Sequence, residues 1–293
     1  MKIQLTHNGH SYHCNLAKPL DISISLGQVK CFYATDFKTS PYTAGDFIGS
    51  VEAGAAVNFF DVQLNPHGNG THTECLGHIT KKQESLNDLL NQYHFMAQLI
   101  SIPLVENEKG DAIITLKNLR TACPENLPEA LIIRTLPNYA TKLTKDYSGT
   151  NPPYLEKASM EFIVQNKIKH LLIDLPSVDK EADGGQIIGH RLFWNVENAA
   201  DKDGSRSDCT ITELIYVKDE IEDGLYLLNI QIPSLHLDVA PSKPVLYQLF
   251  KFPDTNKGRF ITALITFLPA GLASFFFQMV LLQLLGMQFF FCT

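Results

Sequence analysis

The sequence has few cysteines, no paired cysteine motif and no excess of positive charge. Its six cysteines are scattered, and none forms a Cys-x-x-Cys pair, which excludes a dense disulfide framework and a thiolate zinc site of that spacing. The formal net charge is -7, so the chain lacks the basic character that nucleic-acid binding requires. The first residues contain no apolar core of a signal peptide. We therefore expect a cytoplasmic protein without a nucleic-acid partner.

The composition is that of a globular chain, with 45% hydrophobic and 19% charged residues among 293, which favours one large domain or at most two. Short apolar runs that are often β-branched or aromatic and end at turn residues predict strands. These runs lie at 22–26, 56–64, 99–105, 130–134, 170–174, 213–217 and 224–232. Apolar residues at three- and four-residue spacing predict helices at 83–95 and 154–166. The sequence therefore predicts a mixed α/β fold.

The end of the chain has a different character. Residues 261–293 contain no charged side chain, and the stretch exceeds the roughly 20 apolar residues that cross a bilayer. Basic residues precede it at Lys251, Lys257 and Arg259, where they would anchor a span at a cytoplasmic face. A buried hairpin, a dimer-forming segment and a translated extension unrelated to the fold are the alternatives. We expect a domain at 1–252 and an apolar tail at 253–293.

Three histidines and a glutamate fall within the twelve residues 67–78. In an extended chain His72 and Glu74 project to the same side, and so does His78, because side chains alternate along a strand. Nitrogen and oxygen ligands without thiolates suit Zn²⁺ or Mn²⁺ in an open catalytic site. The alternative is a polar surface loop whose histidines share no target.

This loop resembles the signature of the cyclase family of metal-dependent hydrolases, whose best-known members are the bacterial kynurenine formamidases. The family signature reads His-x-Gly-Thr-His-x-Asp-x-Pro-x-His. The matching positions are Gly70, Thr71, His72 and His78, and the departures are Gly68 for the first His, Glu74 for Asp and Leu76 for Pro. The resemblance continues in order at 18–23, 131–135, 173–179, 189–191 and 212–214. It covers roughly residues 15 to 250.

The resemblance implies a role for each matching position. His72 corresponds to a metal ligand, Glu74 to a carboxylate that bridges two ions, and His78 to the histidine of proton transfer. The downstream ligands of the family map to His190 and Glu213, which would complete the metal shell.

The missing first histidine leaves the number of metal ions open. His67 lies one residue early, so His67 or the amide of Asn69 would have to bend inward to replace it, and a single-ion site is the alternative to a two-ion site. The spacing between the two downstream ligands is longer here than in the family. Glu197 is therefore the reserve candidate for the last ligand.

The resemblance further implies a compact α/β domain with a mixed, barrel-like sheet of the swivelling β/β/α type, assembled as a homo-oligomer. The activity it implies is hydrolysis of an amide-type C–N bond in a small formamide or cyclic amide. In that reaction hydroxide bound to Zn²⁺ or Mn²⁺ attacks the carbonyl, and His78 acts as general base and acid. Phe32 and Tyr33 resemble the aromatic wall that stacks a planar substrate, with ordinary core packing as the alternative.

A second hypothesis comes from another functional class. The altered loop would bind a metal for stability, or none, in a non-catalytic relative that the apolar tail tethers to a membrane or a partner. A cysteine nucleophile is disfavoured, because no cysteine has a histidine partner within an activating motif.

Overall fold

The computed structural model describes residues 1–198 and 204–252. The described residues divide into two units, 1–4 with 14–249, and 5–13 with 250–252. The apolar tail predicted at 253–293 lies outside the described residues. Within the described ranges, no helix has the length and apolar character to cross a bilayer. Membrane contact through the tail and assembly as a homo-oligomer stay predictions.

The secondary structure is rich in strands. Numbered in chain order, the strands are β1 Lys2–His7, β2 His10–Asn15, β3 Leu20–Asp21, β4 Lys38–Pro41, β5 Thr43–Ala44, β6 Phe47–Ile48, β7 Phe60–Gln63, β8 His72–Glu74, β9 His94–Pro103, β10 Val105–Glu106, β11 Ala112–Ile114, β12 Ala130–Leu136, β13 Tyr154–Leu155, β14 His170–Ile173, β15 Thr210–Glu213, β16 Gly224–Gln231, β17 Val239–Pro241, β18 Lys243–Gln248 and β19 Phe250–Lys251. The helices are α1 Leu86–Leu89, α2 Leu116–Ala122, α3 Lys157–Gln165 and α4 Ile188–Trp194, with 3-10 turns at Leu76–Ile79 and Ala140–Leu143.

A nine-stranded mixed sheet forms the centre of the first unit. Its strand order is β17-β8-β15-β14-β12-β9-β16-β18-β3. The four strands β15, β14, β12 and β9 run parallel, and antiparallel strands flank them on both sides. The sheet curls into a half-barrel. This architecture confirms the predicted mixed α/β class with a barrel-like sheet.

Both faces of the central strands are buried. Along β12, Leu131 and Ile133 face the core that includes Met160 and Ile163 of α3, whereas Ile132 faces a second core on the other side of the sheet. A parallel strand covered on both faces reads as a continuous apolar run. This is why β12 and β14 are recognisable in the sequence as short apolar segments.

The second unit contains residues 5–7 of β1, residues 10–13 of β2 and strand β19. Phe250 pairs with His13 and Lys251 with Tyr12 in antiparallel register, and the rings of His13 and Phe250 stack with centroids 5.3 Å apart. This pairing fixes the register of the last described strand.

The helix predicted at 83–95 is wrong over most of its length. Only Leu86–Leu89 is helical, and Leu90 already leaves the helical region of backbone angles. The chain then enters β9 at His94, because residues 94–99 pair with β16 and residues 97–103 pair with β12. Here tertiary strand pairing overrides a local helical pattern.

The helix predicted at 154–166 is confirmed over Lys157–Gln165, and Tyr154–Leu155 forms a strand instead of a first turn. The strand predicted at 213–217 is displaced, since the observed strand ends at Glu213. Leu214 adopts φ 55°, a left-handed conformation that breaks the extended chain. This displacement places Glu213 at the end of a strand, beside the candidate site.

Candidate functional site

Strand β8 positions two of the predicted ligands. It pairs with β15 on one side and β17 on the other, and side-chain alternation directs His72 and Glu74 to one face. Thr73 points to the opposite face, where its hydroxyl group hydrogen-bonds that of Thr212 at 2.8 Å. In the register with β15, Glu213 lies directly opposite His72. Residues distant in sequence are thus brought together by the pairing of two short strands.

The ring of His72 presents a nitrogen that has no hydrogen-bond partner. Its Nδ1 lies 3.0 Å from the carbonyl oxygen of Gly70, which can only accept, so Nδ1 carries a proton and the free lone pair of a neutral imidazole at this position is on Nε2. Nε2 is fully buried and unpartnered, and it faces Oε2 of Glu213 at 3.4 Å. Two ligands of a tetrahedral ion with bonds of about 2.1 Å lie roughly 3.4 Å apart. These residues therefore fit a divalent cation.

The Glu74 carboxylate contacts three histidine rings. Its Oε1 lies 3.0 Å from His190 Nε2, and its Oε2 lies 3.2 Å from His67 Nδ1 and 3.9 Å from His78 Nε2. Burial alone would raise the pKa of this carboxyl group, but the charge of His78 and the hydrogen bonds from His190 and His67 hold the pKa well below its ordinary value. Glu74 is therefore an anionic carboxylate that several imidazoles surround.

His190 reaches Glu74 from helix α4. Its other nitrogen, Nδ1, donates to Oδ2 of Asp179 at 2.6 Å, and the backbone N–H groups of Gly189 and His190 donate to the same carboxylate. A Cβ atom on Gly189 would lie 2.9 Å from Asp179 Oδ1, so only glycine allows this close approach. Desolvation would lower the pKa of His190, yet the hydrogen bonds to Asp179 and Glu74 raise it well above its usual range.

Gly68 stands where the family signature has its first histidine, and the structure leaves no room for a side chain there. A Cβ atom on Gly68 would lie 2.3 Å from the Cβ of Ala34 and 3.1 Å from the carbonyl oxygen of Cys31. The amide of Asn69 hydrogen-bonds to backbone groups through both its oxygen and its nitrogen. Of the two predicted replacements, His67 is the one whose ring turns toward Glu74.

A carboxylate that the sequence did not single out lies beside His67 and His78. Oδ2 of Asp238 lies 3.2 Å from Nε2 of His67 and 3.5 Å from Nδ1 of His78. Burial lowers the pKa of His67, but the hydrogen bonds to Asp238 and Glu74 raise it to about 10. Asp238 immediately precedes β17, the neighbour of β8. That position is the only signal in the sequence that would have pointed to it, and it depends on knowing the strand order.

Two groups of side chains have the spacing of metal ligands among the described residues. One is His72, Glu74 and Glu213, and the other is His67, Glu74 and His78, with ligand atoms within 4.8 Å of one another in each group. Glu74 belongs to both groups, so a bridging role between two ions and a single-ion site are both compatible with the geometry. His190 contacts Glu74 without belonging to either group, and its role as a ligand stays a prediction.

A cavity of about 340 Å³ opens at these side chains, within the range of small-molecule sites. The predicted site residues that line it are Phe32, His67, Glu74, His78, His190 and Glu213. Tyr33 is placed elsewhere, because it is 76% exposed, its N–H donates to Ser148 Oγ and its hydroxyl group lies against Gly149. The reserve ligand Glu197 is exposed, and its backbone oxygen accepts a hydrogen bond from Arg191.

The cysteines near the site are buried thiols. The Sγ of Cys31 donates to the His67 carbonyl oxygen, and that of Cys75 donates to the Glu84 carbonyl oxygen. Burial raises the pKa of Cys75 to about 12 and that of Cys31 further. Because the thiolate is the reactive form, these residues are not activated nucleophiles.

Comparison with solved structures shows the same fold. A potential metal-dependent hydrolase with cyclase activity superposes with a TM-score of 0.55 at 14% identity, covering 78% of this chain and 97% of that chain. A predicted metal-dependent hydrolase from Bacillus stearothermophilus gives 0.52 at 16% identity over 78% and 98%. Isatin hydrolase A from Labrenzia aggregata, bound to benzyl benzoate, gives 0.55 at 13% identity over 79% and 95%. At these identities the likeness concerns the fold.

The sequence comparisons place the chain in a family. No curated protein matches it significantly by sequence. Residues 16–180, more than half of the 293, match the model of the Cyclase family, whose description reads "Putative cyclase". The matched range contains the loop with His72, Glu74 and His78. On this match, the protein belongs to the cyclase family.

Proposed function

We propose that the protein is a metal-dependent hydrolase that cleaves an amide-type C–N bond in a small formamide or cyclic amide. The observation that carries this proposal is the buried, unpartnered Nε2 of His72, which faces Oε2 of Glu213 across 3.4 Å. A lone pair facing a carboxylate oxygen in a dry environment is unfavourable, and either a metal cation or a proton on Nε2 relieves it; the metal test below separates the two. Family membership and the metal-dependent hydrolases that share the fold support the same reading.

The residues proposed to hold the cation are His72, Glu74 and Glu213, with His190 adjacent and His67 at the second group. When bound, Zn²⁺ or Mn²⁺ supplies polarisation of the substrate carbonyl and acidification of the attacking water. The backbone N–H of Val178 donates to Oε1 of Glu213 at 2.9 Å. This hydrogen bond leaves Oε2 as the oxygen directed toward His72.

His78 is proposed as the general base and acid. Its side chain is 33% exposed and lies 3.9 Å from Glu74 through Nε2, so it meets both the cavity and the proposed ligands. A histidine in this position can accept a proton from water and return it to the leaving nitrogen. The rings of His78 and His190 have centroids 5.5 Å apart, so the proposed proton-transfer group lies beside a proposed ligand.

The cavity supports a small, planar substrate. Phe32 lines its wall and is 41% exposed, and its ring is proposed to stack on an aromatic or imide group of the substrate. We restrict the aromatic wall to Phe32, since the ring of Tyr33 does not line the cavity. Isatin, the substrate named for structural neighbours, is one member of the cyclic amide class to be tested.

The test combines metal content with turnover on a panel of formanilides, lactams and isatin. We expect the protein to retain Zn²⁺ or Mn²⁺, to lose turnover on dialysis against a chelator and to regain it when the metal is restored. His72→Ala should lower metal content. His236→Ala is the matched control, because the His236 side chain is 83% exposed and lies 3.9 Å from Asp88. A folded protein that binds no metal and turns over no amide would support the non-catalytic alternative.

A further inference from the structure

Each histidine of the site has one ring nitrogen on the side of Glu74 or Glu213, and an oxygen acceptor lies next to its other ring nitrogen. For His72 the acceptor is the Gly70 carbonyl group, and for His190 it is Asp179. Histidine ligands of metals commonly donate their second N–H in this way, which fixes the tautomer and the ring orientation. The remaining two rings, those of His67 and His78, share one such acceptor in Asp238.

The geometry assigns Asp238 as a positioning residue for both rings, an inference that rests on the metal-dependent function proposed above. We propose that, when a cation is bound, Asp238 holds the proton on His67 Nε2 and His78 Nδ1, so that the ring nitrogens facing Glu74, His67 Nδ1 and His78 Nε2, carry free lone pairs. In this arrangement His67 takes the place of the histidine that the family has at position 68.

Main-chain pairing supports this role. The carbonyl oxygen of Asp238 accepts a hydrogen bond from the Cys75 N–H at 3.0 Å, and the next residue, Val239, pairs with Glu74 in the sheet. Asp238 is therefore fixed to the strand that carries the central carboxylate.

The two rings are arranged as a pair between two carboxylates. Their centroids lie 4.3 Å apart, Glu74 lies on one side and Asp238 on the other. The His67 backbone is held in place, because its carbonyl oxygen accepts from Cys31 Sγ at 3.4 Å and the following Gly68 N–H donates to Asn65 Oδ1 at 3.0 Å. With the backbone fixed and position 68 closed to side chains, Asp238 is the group that decides which nitrogen of His67 is directed inward.

An acceptor shared by both rings would fix their tautomers in the wild-type protein. Long-range ¹H–¹⁵N correlation spectra of the zinc-loaded protein should show His67 protonated on Nε2 and His78 protonated on Nδ1. The opposite tautomer on either ring would overturn the assignment. This measurement needs no variant and is independent of turnover.

A variant supplies the second readout. Asp238→Asn keeps the shape but adds an N–H donor that favours the other tautomer, so titration with Zn²⁺ or Mn²⁺ alone should show binding weakened by about 10- to 100-fold, as for other outer carboxylates. His236→Ala, two residues away in the same segment, should bind like the wild type. Equal affinity in Asp238→Asn, or equal weakening in His236→Ala, would overturn the proposal. Absence of metal binding by the wild type would instead overturn the proposed function as well.

Discussion

Replacement of Glu213 by glutamine should change the stability of the metal-free and the metal-bound protein in opposite directions. The Val178 N–H donates to Oε1 of Glu213, so the amide oxygen of a glutamine would occupy that position. Its NH₂ group would then replace Oε2, 3.4 Å from the lone pair on His72 Nε2. In the wild type a carboxylate oxygen faces the lone pair of His72 Nε2, whereas in the variant an amide N–H group would donate to that lone pair.

The magnitude follows from one new hydrogen bond in a buried site. A net contribution of about 1 kcal/mol is typical, and in a protein of this size it raises Tm by roughly 2–4 °C. The same variant loses an anionic ligand. If metal at 100 times Kd stabilises the wild type by about 2.7 kcal/mol, a 100-fold weaker variant retains only about 0.4 kcal/mol at the same concentration.

The assay is thermal unfolding of chelator-treated protein with and without added Zn²⁺ or Mn²⁺. Glu220→Gln provides the control for loss of one negative charge, since the Glu220 side chain is 72% exposed. A Glu213→Gln protein that is less stable without metal, yet gains the full stabilisation on adding it, would refute the reasoning. That result would mean that His72 donates a proton to Glu213 and that the pair is not a ligand pair.

Three further outcomes are expected. His78→Ala should keep metal bound and lower turnover by about 10²- to 10⁴-fold, and unchanged turnover on the amide panel would remove His78 from the mechanism. Gly68→Ala should lower the free energy of unfolding by about 1–3 kcal/mol through overpacking. The double variant Gly68→Ala with Ala34→Gly should recover part of this loss, and denaturant titration of both variants measures it. Burial, and secondarily Lys169, lowers the pKa of His170 to about 4 from 6.5, so the unfolded chain binds the proton first. The contribution of the neutral His170 to the free energy of unfolding, on the order of 3 kcal/mol, is therefore present above pH 6.5 and lost as the pH falls toward 4. Denaturant titration across this pH range should show a smaller loss of stability in His170→Gln than in the wild type, and an equal loss in both would contradict this.

Much of the fold was predictable where local pattern and tertiary environment agree. The apolar runs of β12 and β14 are buried on both faces, so their sequences indicate strands directly. The pattern at 83–95 indicated a helix because Leu86, Leu89 and Leu90 have helical spacing, whereas the segment from Phe95 onward belongs to the sheet. The local sequence does not indicate that residues 94–95 will pair with a neighbouring strand.

The same distinction applies to the candidate site. His72 and Glu74 could be placed on one face from strand periodicity alone, and Glu213 came from the resemblance to a family. Asp238 could not be found in this way, because it reaches the site through the pairing of β17 with β8, a contact between segments far apart in the chain. Sequence analysis likewise assigned no role to Asp179, whose carboxylate accepts a hydrogen bond from His190 Nδ1.

The departures of this chain from the family signature are linked through geometry. The backbone of Glu74 is fixed by strands on both sides, so the reach of its carboxylate depends on side-chain length alone. With position 68 closed to side chains, the Glu74 carboxylate contacts His67 through Oε2 and His190 through Oε1. We propose that the substitution at Glu74 and the use of His67 form one structural adaptation, because an aspartate is one methylene shorter, and Glu74→Asp should therefore weaken metal binding at the group that contains His67.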